Sequence, residues 1–179
     1  MRKLIVSNIA SLDGFFAGPQ KEIDWFHVDA EFEEYSRQML ENAGALLFGA
    51  ATYQLMADYW PSSKDVIAAK MNSLEKFVVS STLKGVDWSN SHLLKEDIQE
   101  EVTKLKSVPG EDLVVLGSAR LASFLLQKNL VDEYRVIVQP IILGAGSPLF
   151  PNVVQRLPMK LTNTKVFNSG GVLLSYQLA

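Results

Sequence analysis

A single α/β domain built on a mostly parallel sheet is what the sequence predicts, on three observations. Short, largely apolar runs recur at 4–10, 45–48, 77–79, 113–116 and 134–139, the composition of strands in a buried sheet. Segments with apolar residues at helical spacing stand between them. Residues 113–139 then join strand, helix and strand without interruption, a βαβ unit.

Each element has its own signal. The run 4–10 suits a central strand. The Ser11-Leu12-Asp13-Gly14 and Phe15-Phe16-Ala17-Gly18-Pro19 that follow read as a loop, whose aromatics either cover a ligand or plug the core edge. Asp29 reads as an N-cap, with Glu31, Glu33 and Glu34 placed well against the helix dipole. Phe32, Tyr35, Ser36, Met39, Leu40 and Ala43 hold one face of that helix, and Gly44 stops it. Trp25 and Phe26, just ahead of it, serve either as core or as the lining of a flat pocket.

Strand 45–48 runs into Gly49-Ala50-Ala51-Thr52-Tyr53, a strand–glycine–helix turn, and Pro61 closes the segment. A further helix carries Val66, Ile67, Met71 and Leu74 on its apolar stripe. Strand 77–79 ends in Ser80-Ser81-Thr82, and 92–94 reads as a brief strand. Ile98, Val102 and Leu105 mark a helix stopped by Pro109-Gly110. Strand 113–116 breaks at Gly117-Ser118, Leu121, Phe124 and Leu125 form a short amphipathic helix, and Asn129 ends it in the left-handed conformation. Pro140 limits the next strand. Residues 141–149 are turn-rich. Segments 160–167 and 172–178, joined by Asn168-Ser169-Gly170-Gly171, predict a carboxy-terminal antiparallel hairpin.

Composition narrows the function classes. A chain of 179 residues, 47% hydrophobic, suffices for one well-buried domain. A net charge of −3 argues against a nucleic-acid or anionic-membrane partner. With no cysteine, disulfides, thiol catalysis and thiolate metal sites are excluded. The apolar run after Met1-Arg2-Lys3 stops at Ser7-Asn8, too early for a signal sequence, so a soluble cytoplasmic protein is expected. His27 and His92 do not share metal-ligand spacing, and no GxSxG, HExxH or P-loop is present. No metal is expected.

Three strand ends carry the chemical interest: Gly49 to Thr52, Ser80 to Thr82, and Gly117 to Arg120. Each is rich in glycine or hydroxyls at the carboxyl end of a parallel strand. In one sheet they would line one edge, where an elongated phosphorylated cofactor could lie. The amino end of the helix after Gly117-Ser118 offers unpaired N–H groups and a favourable dipole to an anion, and Arg120 could add a charge-assisted contact. Such turns also occur for steric reasons alone. Asp13 either orients a substrate amide or passes a proton through water, or it caps its loop as an Asx-turn. The Asp132-Glu133 pair reads as solvated or as a dimer contact rather than a catalytic dyad.

These residues resemble the dihydrofolate-reductase-like superfamily, and within it the carboxy-terminal reductase domain of the bifunctional riboflavin-biosynthesis deaminase–reductase. The motifs are Ser11-Leu12-Asp13-Gly14, Gly49-Ala50-Ala51-Thr52-Tyr53, Leu116-Gly117-Ser118-Ala119 and, most specific, Leu130-Val131-Asp132-Glu133-Tyr134 with Pro140-Ile141-Ile142-Leu143-Gly144-Ala145-Gly146. The resemblance implies a three-layer α/β/α dihydrofolate-reductase-like fold, its mostly parallel central sheet ending in an antiparallel hairpin. It implies hydride transfer from NADPH, with NADH not excluded, to a small pterin-, flavin-precursor- or pyrimidine-like heterocycle. The alternative is a non-catalytic nucleotide-binding module of the same fold.

By that resemblance, pyrophosphate contacts fall on Gly117, Ser118, Ala119, Arg120 and Leu121, and on Gly49, Ala51 and Thr52. Adenosine-end contacts fall on Ser80, Ser81 and Thr82. The nicotinamide lies near Asn8, Ala10 and Phe16, and substrate is held by Trp25, Phe26, Tyr53 and Met56. Asp13, from its place in the loop after the first strand rather than from the resemblance, is the catalytic candidate. A homodimer is also implied. One departure matters: Ala50 stands where dihydrofolate reductases commonly have an arginine, which weakens recognition of the 2′-phosphate.

Overall fold

In the computed structural model, which describes residues 1–179, β1 (Leu4–Ser11) lies inside an eight-stranded sheet. From one edge the order runs β5 (Ser91–Leu94), β4 (Glu75–Val79), β3 (Ala43–Gly49), β6 (Asp112–Leu116), β1, β7 (Glu133–Gln139), β10 (Val172–Leu178) and β9 (Met159–Val166). The strands from β5 to β7 are parallel, and the β9–β10 hairpin joins antiparallel to β7. This is an α/β dihydrofolate-reductase-like fold.

The period of two along each strand makes the layers. Leu4, Val6, Leu47, Val115 and their neighbours face one side, where α4 (Ile98–Ser107) contributes Val102 and α5 (Ala119–Gln127) contributes Leu121, Ala122 and Leu125. The alternate residues Leu46, Phe48, Val78 and Val114 face the other side. There α1 (Ala30–Glu41), α2 (Ala50–Tyr59) and α3 (Ala68–Ser73) bring Leu40, Tyr53 and Met71. Each such Leu or Phe, fully buried, contributes on the order of 1.5–3 kcal/mol over leaving it in water. A third cluster, Ile137, Phe167 and Leu173, seats Phe32 and Tyr35 of α1 against the hairpin.

Several expectations are corrected. Phe15-Phe16-Ala17 is not a loop but β2 (Phe15–Ala17), paired with β8 (Ser147–Pro148) in a small second sheet. Leu149 N donates to Gly14 O beside it, so the backbone polar groups of this excursion find partners across the chain. Helix α1 stops at Glu41 with Asn42 as its C-cap, and Ala43 and Gly44 already belong to β3. Gly44 lies at the irregularity between Ala43 and Ala45, where an added Cβ would sit 2.7 Å from Glu111 O. It therefore marks a crowded strand start rather than a helix stop. Val66 is 73% exposed and precedes α3, so only Ile67, Met71 and Leu74 of the expected stripe pack inward. The Asp132-Glu133 pair is engaged within the chain. Lys106 Nζ lies 2.6 Å from Asp132, which also accepts from Leu4 N, and Arg135 Nε lies 2.6 Å from Glu133.

Other signals are borne out. Asp29 caps α1 by accepting from Phe32 N, Asn129 adopts a positive φ after α5, and β7 ends at Gln139, just before Pro140. No helix is long and apolar enough to cross a membrane.

Candidate functional site

Adjacent strands β6 and β1 send their following helices to opposite faces of the sheet, α5 to one and α1 to the other. Their carboxyl ends thus border a crevice, where open α/β sheets take ligands. The ends of β4, β3 and β6 continue the same edge, because these three strands are neighbours. Ser80, Gly49 and Gly117 lie along it as the sequence suggested.

At the centre, two strand-to-helix corners are tied together. Gly49 N donates to Ser118 Oγ at 2.7 Å, and Ser118 N donates to Thr52 Oγ1 at 3.1 Å. Gly117 and Ser118 both have positive φ, +64° and +57°, so the chain turns sharply between β6 and α5. A Cβ at Gly117 would stand 3.2 Å from Thr52 Cγ2 and 3.3 Å from Phe16 Cζ. Glycine is required twice here, by the backbone and by the space. The amino ends of α2 and α5 are thereby held side by side. Their first-turn N–H groups, on Ala50, Ala51, Ala119 and Arg120, have no partner inside the helices. Two helix dipoles also converge on the spot. Arg120 is exposed on the first turn of α5.

Asn8 supports this cradle from below. With its oxygen toward Tyr134, the buried Asn8 amide accepts from the Tyr134 hydroxyl at 2.8 Å. It then donates to Ser7 O at 3.2 Å and to Gly117 O at 2.9 Å. The opposite orientation would set amide N–H groups against donors and its oxygen against acceptors, so the network assigns this one. Burial pushes the Tyr134 hydroxyl well above the usual tyrosine range, keeping it a proton donor to Asn8. Asn8 thus acts on the turn, while Ala10 is buried in the core beside α5.

The remaining candidates divide. Leu121 and Tyr53 point into the core, 6% and 5% exposed, and Tyr53 accepts from Trp88 N at 2.9 Å. Neither side chain reaches the crevice, because each sits on the inward stripe of its helix. Met56 lies further along α2, its sulfur accepting from Trp60 Nε1. Ser80 Oγ is spent on its own turn, accepting from Thr82 N and Leu83 N, whereas Ser81 and Thr82 are exposed at the edge. Asp13 is a clamp: one carboxylate oxygen accepts from Ser11 Oγ and Leu143 N, the other from Gly144 N. Its pKa is lowered, chiefly by the Ser11 hydrogen bond, which suits a permanent carboxylate and not a proton donor. Asp13→Ala should lower the melting temperature by freeing the 141–146 loop. The stabilisation should also fade in wild type as pH falls below the ordinary carboxylate range, which thermal melts from pH 7 to pH 3 would read.

A hollow of about 200 Å³ opens beside the end of β7, lined by Trp25, His27, Gln139, Pro140, Ile141 and Ser169. Trp25 stands edge-on to Phe26, their centroids 4.5 Å apart. The buried Gln139 amide pairs with the His27 backbone, at 3.3 and 3.4 Å. His27, Gln139 and Ser169 were not singled out in the sequence, where no spacing connects them. A larger hollow, about 370 Å³, lies at the opposite ends of the strands under α1, away from the three turns.

The profile of the RibD C-terminal domain matches residues 2–173. The chain belongs to the RibD C-terminal domain family. It is 34% identical to the uncharacterized protein YyaP of Bacillus subtilis (strain 168), over 98% of this chain and 94% of that one. Among solved structures, a pyrimidine reductase-like protein from Corynebacterium diphtheriae superposes with a TM-score of 0.70 at 13% identity, covering 99% and 92% of the two chains. Dihydrofolate reductase from Enterococcus faecalis, complexed with NADP(H), gives 0.65 at 12%, covering 98% and 96%. At such identities the structural likeness speaks for the fold, which is reductase-like.

Proposed function

We propose that this chain is an NAD(P)H-dependent reductase that delivers hydride to a small, flat heterocycle. The observation that carries the reading is the pair of helix amino termini locked together by Gly49–Ser118 and Ser118–Thr52 in a member of this family. The cradle suits a pyrophosphate: it has free first-turn amides from two helices, a glycine where a side chain would intrude, and Arg120 alongside. The 2′-phosphate end would meet Ser81 and Thr82, with Ala50 offering no charge.

When bound, the nicotinamide supplies the hydride; the protein supplies position and protons. The end of β1 lies between the cradle and the hollow at β7. A ring in that hollow would lie against Trp25, with the His27 and Ser169 side chains beside it and the Gln139 amide holding the His27 backbone in place. Asp13 acts there through the loop it clamps.

Thermal-shift titrations with NADPH and NADH test the reading. Ligand at about 100 Kd stabilises the native state by roughly 2.7 kcal/mol. The expected result is a saturable shift with NADPH that shrinks in Arg120→Ala, whose melting temperature without ligand stays that of wild type. Equal shifts with both nucleotides would remove 2′-phosphate recognition. No shift with either would overturn the proposal.

A further inference from the structure

We infer that the hollow under α1 is a second binding site, which takes a guanine-type base: a flat ring with two adjacent acceptors on one edge and N–H donors on another. It opens at the ends of the strands opposite the crevice, and the inference does not depend on the reductase reading. Ile5 of β1, Val114 of β6 and Met39 of α1 give it apolar walls above and below a ring. At about 370 Å³ it holds a fused bicyclic base and leaves an attached sugar in solvent.

Arg135 of β7 forms one side. Its Nε lies 2.6 Å from Glu133, while its two terminal nitrogens meet no acceptor in the protein. Beside it the Tyr35 hydroxyl is buried without a hydrogen-bond partner, so this side carries unspent donors. A guanidinium fork is matched by two acceptors side by side in one plane. Glu133 already neutralises the charge, and Glu111 and Asp112 face the same hollow, so a further anion is disfavoured. Neutral acceptors such as O6 and N7 of guanine are what remains.

Glu111 and Asp112 form the other side. Strands β6 and β7 flank β1, so these carboxylates stand two strand spacings from Arg135, about 10 Å across the sheet. A hydrogen bond of about 3 Å at each side leaves about 4 Å between the polar edges of the ligand, the scale of one fused ring system. Asp112 gives one oxygen to Lys3 N at 2.9 Å and keeps the other. The Glu111 carboxylate is free, its backbone carbonyl alone holding Arg2 Nε at 2.6 Å. Carboxylates accept N–H groups, here those of N1 and the 2-amino group of guanine. Adenine presents an amino donor to the Arg135 side where guanine presents O6, and hypoxanthine lacks the 2-amino group, so both fit less well.

Calorimetric titration of the whole chain with guanosine, inosine and adenosine, with and without excess NADPH, decides it. Guanosine should bind with the same affinity in both conditions, inosine at least tenfold more weakly, and adenosine not at all outside the crevice. Arg135→Lys keeps a cation opposite Glu133 but loses the fork, and Asp112→Asn keeps an acceptor for Lys3 N but loses the charge. Each should lower guanosine affinity at least tenfold, with melts in the absence of nucleoside confirming the fold. If Arg135→Lys does not fold, Asp112→Asn alone decides. Absence of guanosine binding would overturn the inference. So would its loss in excess NADPH, equal binding of adenosine in excess NADPH, or an affinity that the variants leave unchanged. Guanosine binding without any NADPH binding would instead sink the reductase reading and leave this site standing.

Discussion

Tyr134→Ala is expected to cost about 3–5 kcal/mol of stability, the usual range for deleting a buried aromatic side chain. Tyr134 is 2% exposed in the cluster beneath α5, with Phe150 against its ring. Its hydroxyl has a separate role, and Tyr134→Phe isolates it. Without that donor, Asn8 Oδ1 is buried without a partner, a loss of about 1–3 kcal/mol. The Asn8 amide also holds Gly117 O, so the turn loses its support. Tyr134→Phe should therefore weaken NADPH binding by more than its stability change explains. Urea melts would give the stability, and NADPH titration below the melting range would give the affinity. If affinity stays that of wild type while stability falls, the Tyr134–Asn8 link is structural only.

Lys76→Met is expected to remove about 1–3 kcal/mol of stability at neutral pH and to flatten the alkaline pH profile. Lys76 is 0% exposed, with no carboxylate partner. Its ammonium donates to Met71 O, Asn72 O and Leu74 O at 3.0, 3.1 and 2.5 Å, and sits 4.5 Å from the centre of the Trp88 ring. These carbonyls are the unpaired end of α3 and its cap, where a cation is favoured. Burial still disfavours the charge and lowers the pKa to about 8.

The sign follows from linkage. Between about pH 8 and the ordinary lysine value, the unfolded chain binds the proton that the folded chain has released, so stability rises with pH. Tyr134 has the opposite sign: its pKa is raised by burial, so above its unfolded value of 10.0 stability falls. Wild type should show a stability maximum near pH 10, and Lys76→Met should lose the rising limb. Denaturant melts at half-unit steps from pH 7 to pH 11 would read it, and a rising limb that survives in Lys76→Met would exclude Lys76 as its source.

The fold was legible because its strongest signals are local. Buried strands in parallel sheets are short apolar runs, and β3, β6 and β7 look like that in the sequence. Caps such as Asp29 and Asn129 act on the backbone within one helical turn, so residue type alone indicates them. Gly49 and Gly117 could be singled out for the same reason: each lies where a strand stops and a helix starts.

What the sequence by itself determined, then, is the set of elements, their approximate bounds and the small residues at the strand ends. Tertiary structure decided which of those residues face the crevice. Tyr53 and Thr52 are neighbours, yet one faces the core and the other bonds Ser118, because a helix turns successive side chains about 100° apart. For Asp13 the sequence left a chemical role and a loop cap both open, and Leu143 and Gly144, distant in the chain, supply the hydrogen bonds that make it a clamp. Nothing in the sequence singled out Lys76, and Gln139 read only as the end of a strand. Both are buried: Lys76 turns back onto the carbonyl end of the helix just before it, whereas Gln139 pairs with His27, more than a hundred residues away. Propensity and capping act over a few residues, whereas burial and hydrogen-bond satisfaction are settled only when distant segments meet.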